Sequence, residues 1–141
     1  MLEGAKASLP VVVAHEHTAA ASGNAGVVVF STPQLVLLLE NACVAAIQEY
    51  LEPGQVTLGA RLDVAHLAPS PVGSTVTAEA TLTSVSGRTL DFEVTAHDEH
   101  EEVARGTHRR VVVDRASFLK RAEAKADPSR KAAHASAGEE Q

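Results

Sequence analysis

The stretch that most limits what this chain can fold into is residues 30–52, FSTPQLVLLLENACVAAIQEYLE. Its middle is apolar on every side of a helical wheel: Leu35 through Leu39, then Ala42 through Ile47. A helix without a polar face must be buried, so the remaining chain has to wrap it. Ser31 and Thr32 ahead of Pro33 supply a start, because a hydroxyl can cap free amides and proline is tolerated in the first turn. Pro53-Gly54 supplies a stop. Glu40 and Asn41 interrupt the apolar run, which falls short of the roughly 20 residues a bilayer needs, so no membrane span is expected. Glu40 is the first charge inside the cylinder. Carboxylates are seldom buried alone, so another residue is expected to answer it.

The chain around this helix is written in period two. Residues 8–18, SLPVVVAHEHT, are expected to form a first strand that carries His15 and His17 on one face, with too few further ligands for a metal site. Residues 19–26 are small and flexible, a lid or a linker. Four more strands are expected at 55–68, 74–85, 88–97 and 102–113, separated by turn signals at Pro69 to Gly73, Ser86-Gly87 and Asp98 to Glu101. In the first of these, Val56, Leu58, Ala60, Leu62, Val64 and His66 share the inward row, with Asp63 on the opposite face. The alternation of the last blurs at Gly106, where a bulge is expected. A short helix over 114–126, capped by Asp114 and anchored by Phe118 and Leu119, completes a domain spanning 1–126. From Asp127 to Gln141 nothing remains to bury, which predicts a disordered tail. The expected class is α+β, an antiparallel sheet wrapped around a long central helix. One sheet covers only part of an all-apolar helix, so a second copy should close the rest, as a homodimer.

Charge and composition remove several functions. A net charge of -6 and 3% aromatic residues argue against nucleic acid as a partner. A single cysteine forms no internal disulfide, and the N-terminus lacks the pattern of a signal peptide, which together fit a reducing cytoplasm. No Walker loop, dinucleotide fingerprint, nucleophile elbow or zinc spacing occurs.

Three polar residues lie where solvation does not explain them: Thr32 at the helix start, Glu40 within it, and His66 on the inward row of the adjoining strand. A carboxylate kept from bulk water acts as base or nucleophile near neutral pH, and an imidazole beside it orients it or shuttles protons. A hydroxyl and free helix amides at the mouth can hold a water or an oxyanion. This inventory suits hydrolysis of an activated acyl group. Each residue also has a plainer account: Thr32 as a helix cap, Glu40 as half of an interfacial ion pair, His66 as a hydrogen-bonded core residue. Cys43 is expected to be an inert core thiol. His97, His100, Arg109 and Arg110 look like turn and edge residues, among which Arg110 could reach an anionic ligand.

The runs VFSTPQLVLLLENAC, YLEPGQVTLGARLDVAHLAPSPVG and GTHRRVVVDRASFL, within approximately residues 27–120, resemble the hotdog-fold thioesterases, most closely the fluoroacetyl-CoA thioesterase subgroup. The resemblance implies a helix wrapped by an antiparallel sheet, a dimer, and a catalytic set of Thr32, Glu40 and His66. It implies that Gly59 lines the site and that Arg110 lies near the substrate. It also implies that no metal or redox cofactor takes part, coenzyme A arriving as part of an acyl-CoA substrate. His17 to Gly26, where the fluoroacetyl-specific enzyme carries an aromatic lid, has no aromatic residue, so a general acyl-CoA thioesterase is expected. A hotdog dimer that binds an acyl-CoA without turnover is the rival from another class. Hydration of an enoyl thioester is a second enzyme reading, for which Asp63 faces the wrong way. Whether dimers pair into tetramers stays open.

Overall fold

The structure, a computed structural model, describes residues 2–129. Its central helix α1 runs Thr32–Ile47 and continues as a 3-10 turn, Gln48–Tyr50. Ser31 is the N-cap, its Oγ accepting from the Gln34 N–H at 3.3 Å, and Pro33 falls where a missing amide costs nothing. Burial is one-sided. Leu35, Leu38, Leu39, Ala42, Cys43, Ala46 and Ile47 are buried, whereas Leu37 is 49% exposed and Asn41 and Ala45 face solvent. As expected, a single sheet covers only part of the helix and leaves one stripe open.

Five strands form one antiparallel sheet: β1 (Lys6–Val12), β2 (Gln55–His66), β3 (Thr75–Ser86), β4 (Thr89–His97) and β5 (Glu102–Asp114), in the order β1-β3-β4-β5-β2. In β3 and β4 the expected inward rows hold. Val76, Ala78, Ala80, Leu82, Leu90, Phe92, Val94 and Ala96 are all at most 1% exposed. They meet Phe30, Leu35, Leu39 and Ile47 in one core, where each large side chain contributes about 1.5–3 kcal/mol. The helix packs mainly on β1 and β3 and more lightly on β4 and β2, which leaves the inner side of β2 around Leu62 open beside Glu40. The outer face is polar: Arg109 clasps Asp91 at 2.8 and 3.2 Å, and Arg105 clasps Glu102 at 2.8 and 2.9 Å.

Several expectations change. The first strand begins and ends earlier than expected, and His15–His17 form a 3-10 turn instead of sharing a strand face. The reason is local: His17 Nδ1 accepts from the Ala14 N–H at 2.8 Å, and its ring stands edge-on to Phe30 at 6.4 Å. Gly106 marks no bulge. It pairs regularly with Val64 and Val94, and a Cβ there would lie 2.1 Å from the Asp63 carbonyl oxygen, so glycine permits a close approach of β2. The irregularity in β2 lies instead between Gly59 and Arg61, where Ala60 is an extra residue. An extra residue reverses the alternation. Thr57 and Gly59 face inward before it, and Leu62, Val64 and His66 after it, so the expected inward placement of Val56, Leu58 and Ala60 is corrected.

Helix α2 (Arg115–Ala126) starts as expected, with the Asp114 carboxylate accepting from the Ser117 N–H at 2.9 Å. The tail expected to be disordered lies, past Ser129, outside the described residues. No described helix is long and apolar enough to cross a membrane.

Candidate active site

Because Ser31 takes the capping role, Thr32 is free to turn its hydroxyl elsewhere. Its Oγ1 lies 2.8 Å from His66 Nδ1, joining the helix start to the end of β2. His66 is half-buried, and loss of hydration holds its pKa below the usual histidine value, with a backbone hydrogen bond to Ala68 working the other way. The imidazole is thus kept neutral at neutral pH.

Two turns along the helix stands a second cluster. Glu40 Oε2 accepts from Arg110 Nη1 at 3.1 Å and lies 3.6 Å from His108 Nε2. Arg110 is 7% exposed and fixed on every side: Nε donates to Thr57 Oγ1 at 2.9 Å, Nη2 to the Thr57 carbonyl at 2.9 Å, and Nη1 lies 3.1 Å from His108 Nε2. His108, 3% exposed, places Nδ1 2.9 Å from the Arg61 carbonyl oxygen. A carbonyl only accepts and a guanidinium only donates, so Nδ1 carries the proton and Nε2 the lone pair. Burial holds the His108 pKa below its usual value and the Arg110 charge adds to that, against the opposing pull of the Arg61 carbonyl and Glu40.

Gly59 makes room for this cluster. A Cβ at that position would meet Glu40 Oε2 at 2.6 Å and His108 Cε1 at 3.2 Å. Its φ is not in the left-handed region, so the need is for space and not for backbone freedom. Glu40, Gly59, Ala60, Arg61, Leu62 and His108 line a cleft of about 230 Å³. Among the described residues no donor reaches Glu40 Oε1. A carboxylate with one oxygen clamped by a cation and the other free on a cleft is built to add to an electrophile or to take a proton from water.

The structure therefore joins Thr32 with His66, and Glu40 with Gly59 and Arg110, in two separate groups within one chain. Thr32 and Glu40 stand eight residues apart on the helix, about 12 Å. Glu40 is answered by Arg110, which is not the edge residue expected: β5 lies between β4 and β2, and Arg110 points inward. His108 was not foreseen, although it stands two residues before Arg110 on the same face of a strand. Cys43 is buried and its thiol is pushed up to about 12, chiefly by desolvation, the inert state expected of it. Asp63 is solvent-exposed, lining the outer face with Asp91 and Arg109. Among the described residues no group of three or more His, Cys, Asp or Glu could hold a metal ion.

Residues 13–116 match the family model for fluoroacetyl-CoA-specific thioesterases. The fluoroacetyl-CoA thioesterase of Streptantibioticus cattleyicolor is 48% identical over 90 residues, which is 64% of this chain; the match spans 65% of that relative's length. A solved variant of the fluoroacetyl-CoA-specific thioesterase in complex with fluoroacetate and CoA superposes with a TM-score of 0.77 at 38% identity, over 84% of this chain and 99% of that one. A hot-dog-like protein from Thermanaerovibrio acidaminovorans superposes with a TM-score of 0.78 at 28% identity, over 85% of this chain and 89% of the other. The wrapped helix is thus the hotdog fold, and the chain belongs to the fluoroacetyl-CoA-specific thioesterase family.

Proposed function

We propose that this protein hydrolyses a small acyl-CoA thioester to the free acid and CoA, in the reducing cytoplasm that its lone free cysteine fits. The observation that carries this reading is the Glu40 carboxylate, held by Arg110 beside Gly59 on the lining of a cleft. The relative's name and the neighbour solved with fluoroacetate and CoA support a CoA ester as substrate. Oε1 either adds to the thioester carbonyl carbon, expelling the CoA thiolate and leaving an anhydride that water then opens to the free acid, or takes a proton from the water that adds. In both routes Arg110 holds the carboxylate in place through Oε2. His66, neutral and hydrogen-bonded to Thr32, is suited to take a proton from the attacking water and pass it to the departing thiolate, with the Thr32 hydroxyl positioning the water or the substrate oxygen. No metal or redox cofactor has a part.

The two clusters need each other, and a second copy brings them together. The stripe of α1 around Leu37, the inner face of β2 with Leu62 at 40% exposure, and the edge of β2 are each left uncovered by the described residues. Antiparallel pairing of two β2 edges about a two-fold axis brings the Gly59 end of one strand beside the His66 end of the other. A homodimer then carries two composite sites, each with Glu40 from one chain and a Thr32–His66 pair from the other.

The test is a panel of acyl-CoA esters, acetyl- and fluoroacetyl-CoA among them, assayed by thiol release with wild type beside Glu40→Gln. Wild type is expected to turn over small acyl esters, and the variant to lose about 10³-fold in kcat. Full-rate release by Glu40→Gln overturns the role of Glu40. Absence of release from every ester favours a non-catalytic acyl-CoA binder, a reading that the separation of Glu40 from His66 within one chain keeps in view.

A further inference from the structure

We propose that His108 is a positioning residue for Glu40, acting through Arg110: its Nε2 lone pair accepts from Arg110 Nη1 and fixes the guanidinium plane that holds the carboxylate toward the cleft. The inference rests on the hydrolytic reading above and adds to it a residue that does not touch the reacting atoms.

The guanidinium has five N–H bonds to place. Two go to Thr57, through its hydroxyl and its carbonyl, and both anchor the inner end of the group on β2. Nη1 has two more. One reaches Glu40 Oε2 and the other His108 Nε2, at 3.1 Å each. Were His108 apolar, the second Nη1 hydrogen would be buried without an acceptor, and a buried unsatisfied donor on a cation is costly. The guanidinium would gain by turning that hydrogen onto a carboxylate oxygen, which would draw Oε1 back from the cleft. His108 removes that alternative by being an acceptor that carries no charge. Its own orientation is set by the Arg61 carbonyl, which the residue after the β2 bulge presents. The chain of restraint therefore runs from the bulge through His108 and Arg110 to Glu40, every link within one protomer.

An alternative assignment, that His108 merely fills space, makes different predictions. Leucine at 108 fills most of the volume but accepts no hydrogen bond, whereas glutamine places an amide oxygen near the position of Nε2. His108→Leu is expected to lower kcat by about 10–100-fold with KM within about 2-fold, since displacing a reacting group by a fraction of an ångström acts on the chemical step. His108→Gln is expected within about 3-fold of wild type. In an Arg110→Met background, His108→Leu is expected to cost less than about 2-fold further, because the group it positions is gone.

Nitrogen-15 spectra of the imidazole give a readout that does not depend on turnover: at neutral pH they should show protonated Nδ1 and bare Nε2, with the Nε2 signal moving on Arg110→Met. Wild-type kcat in His108→Leu, equal loss in the leucine and glutamine variants, or a protonated Nε2 would each overturn the proposal. If wild type releases no thiol from any ester, the hydrolytic reading falls, while the spectra still decide how His108 is tied to Arg110.

Discussion

A methyl group at position 59 would test the cluster around Glu40 at its tightest point. The added carbon would lie 2.6 Å from Glu40 Oε2, and the flexible end that must yield is the carboxylate itself. Gly59→Ala is therefore expected to leave the fold in place, with Tm within a few degrees, while kcat for thiol release falls by about 10–100-fold. Unchanged kcat would show that the carboxylate need not sit against the strand. At this scale the sequence was partly legible. Glu40 announced itself as a charge in an apolar helix, and His66 as an imidazole in an apolar row. Their immediate neighbours were not legible, because the partners of Glu40 come from β5, 70 positions away for Arg110, and only a folded sheet shows that proximity. His108 was hidden for a plainer reason: GTHRRVVV reads as a polar edge until its alternate residues are known to point inward.

Elements were read best where their alternation is uninterrupted. β3 and β4 keep period two along the buried part of each strand, so their inward rows were correct residue by residue. β2 was half right because Ala60 adds one residue and reverses the face of all that precedes it. Nothing in VTLGARLDV marks that position, since the alternation can be written across it without a break. The glycine that did attract attention, Gly106, serves to let two backbones approach. Gly106→Ala would drive a methyl into the Asp63 carbonyl and the Val64 Cα, backbone that has no rotamer to change. A loss of at least about 3 kcal/mol in urea unfolding is expected, larger than the usual cost of an overpacked side chain. A loss below about 1 kcal/mol would mean that β2 slides away easily.

For the whole molecule the expected assembly is two chains, and light scattering at micromolar concentration should give twice 14.7 kDa. A monomer of full activity would contradict composite sites. Stability should fall on mild acidification. Both His66 and His108 have folded pKa values below the 6.5 of an unconstrained histidine, so as pH drops through about 6.5 the unfolded chain takes up protons that the native state resists. Their contribution is complete above that pH and is lost below it as the folded values are approached. Tm should therefore be lower at about pH 5.5 than at about 7.5, with a smaller difference in His108→Gln, and a rise on acidification would contradict the sign. Kinetics should show the same direction, with thiol release declining on the acid side as the imidazoles charge.

The back of the sheet sets a limit of its own. Two bidentate arginine–carboxylate clasps, with Thr83 and Thr107 between the strands, make that surface charged and polar. Drying such a surface against another copy would strip ions of hydration at several kcal/mol each. Crowded molecules should thus repel back to back, and growth of the assembly past a pair has no apolar ground to stand on from that side.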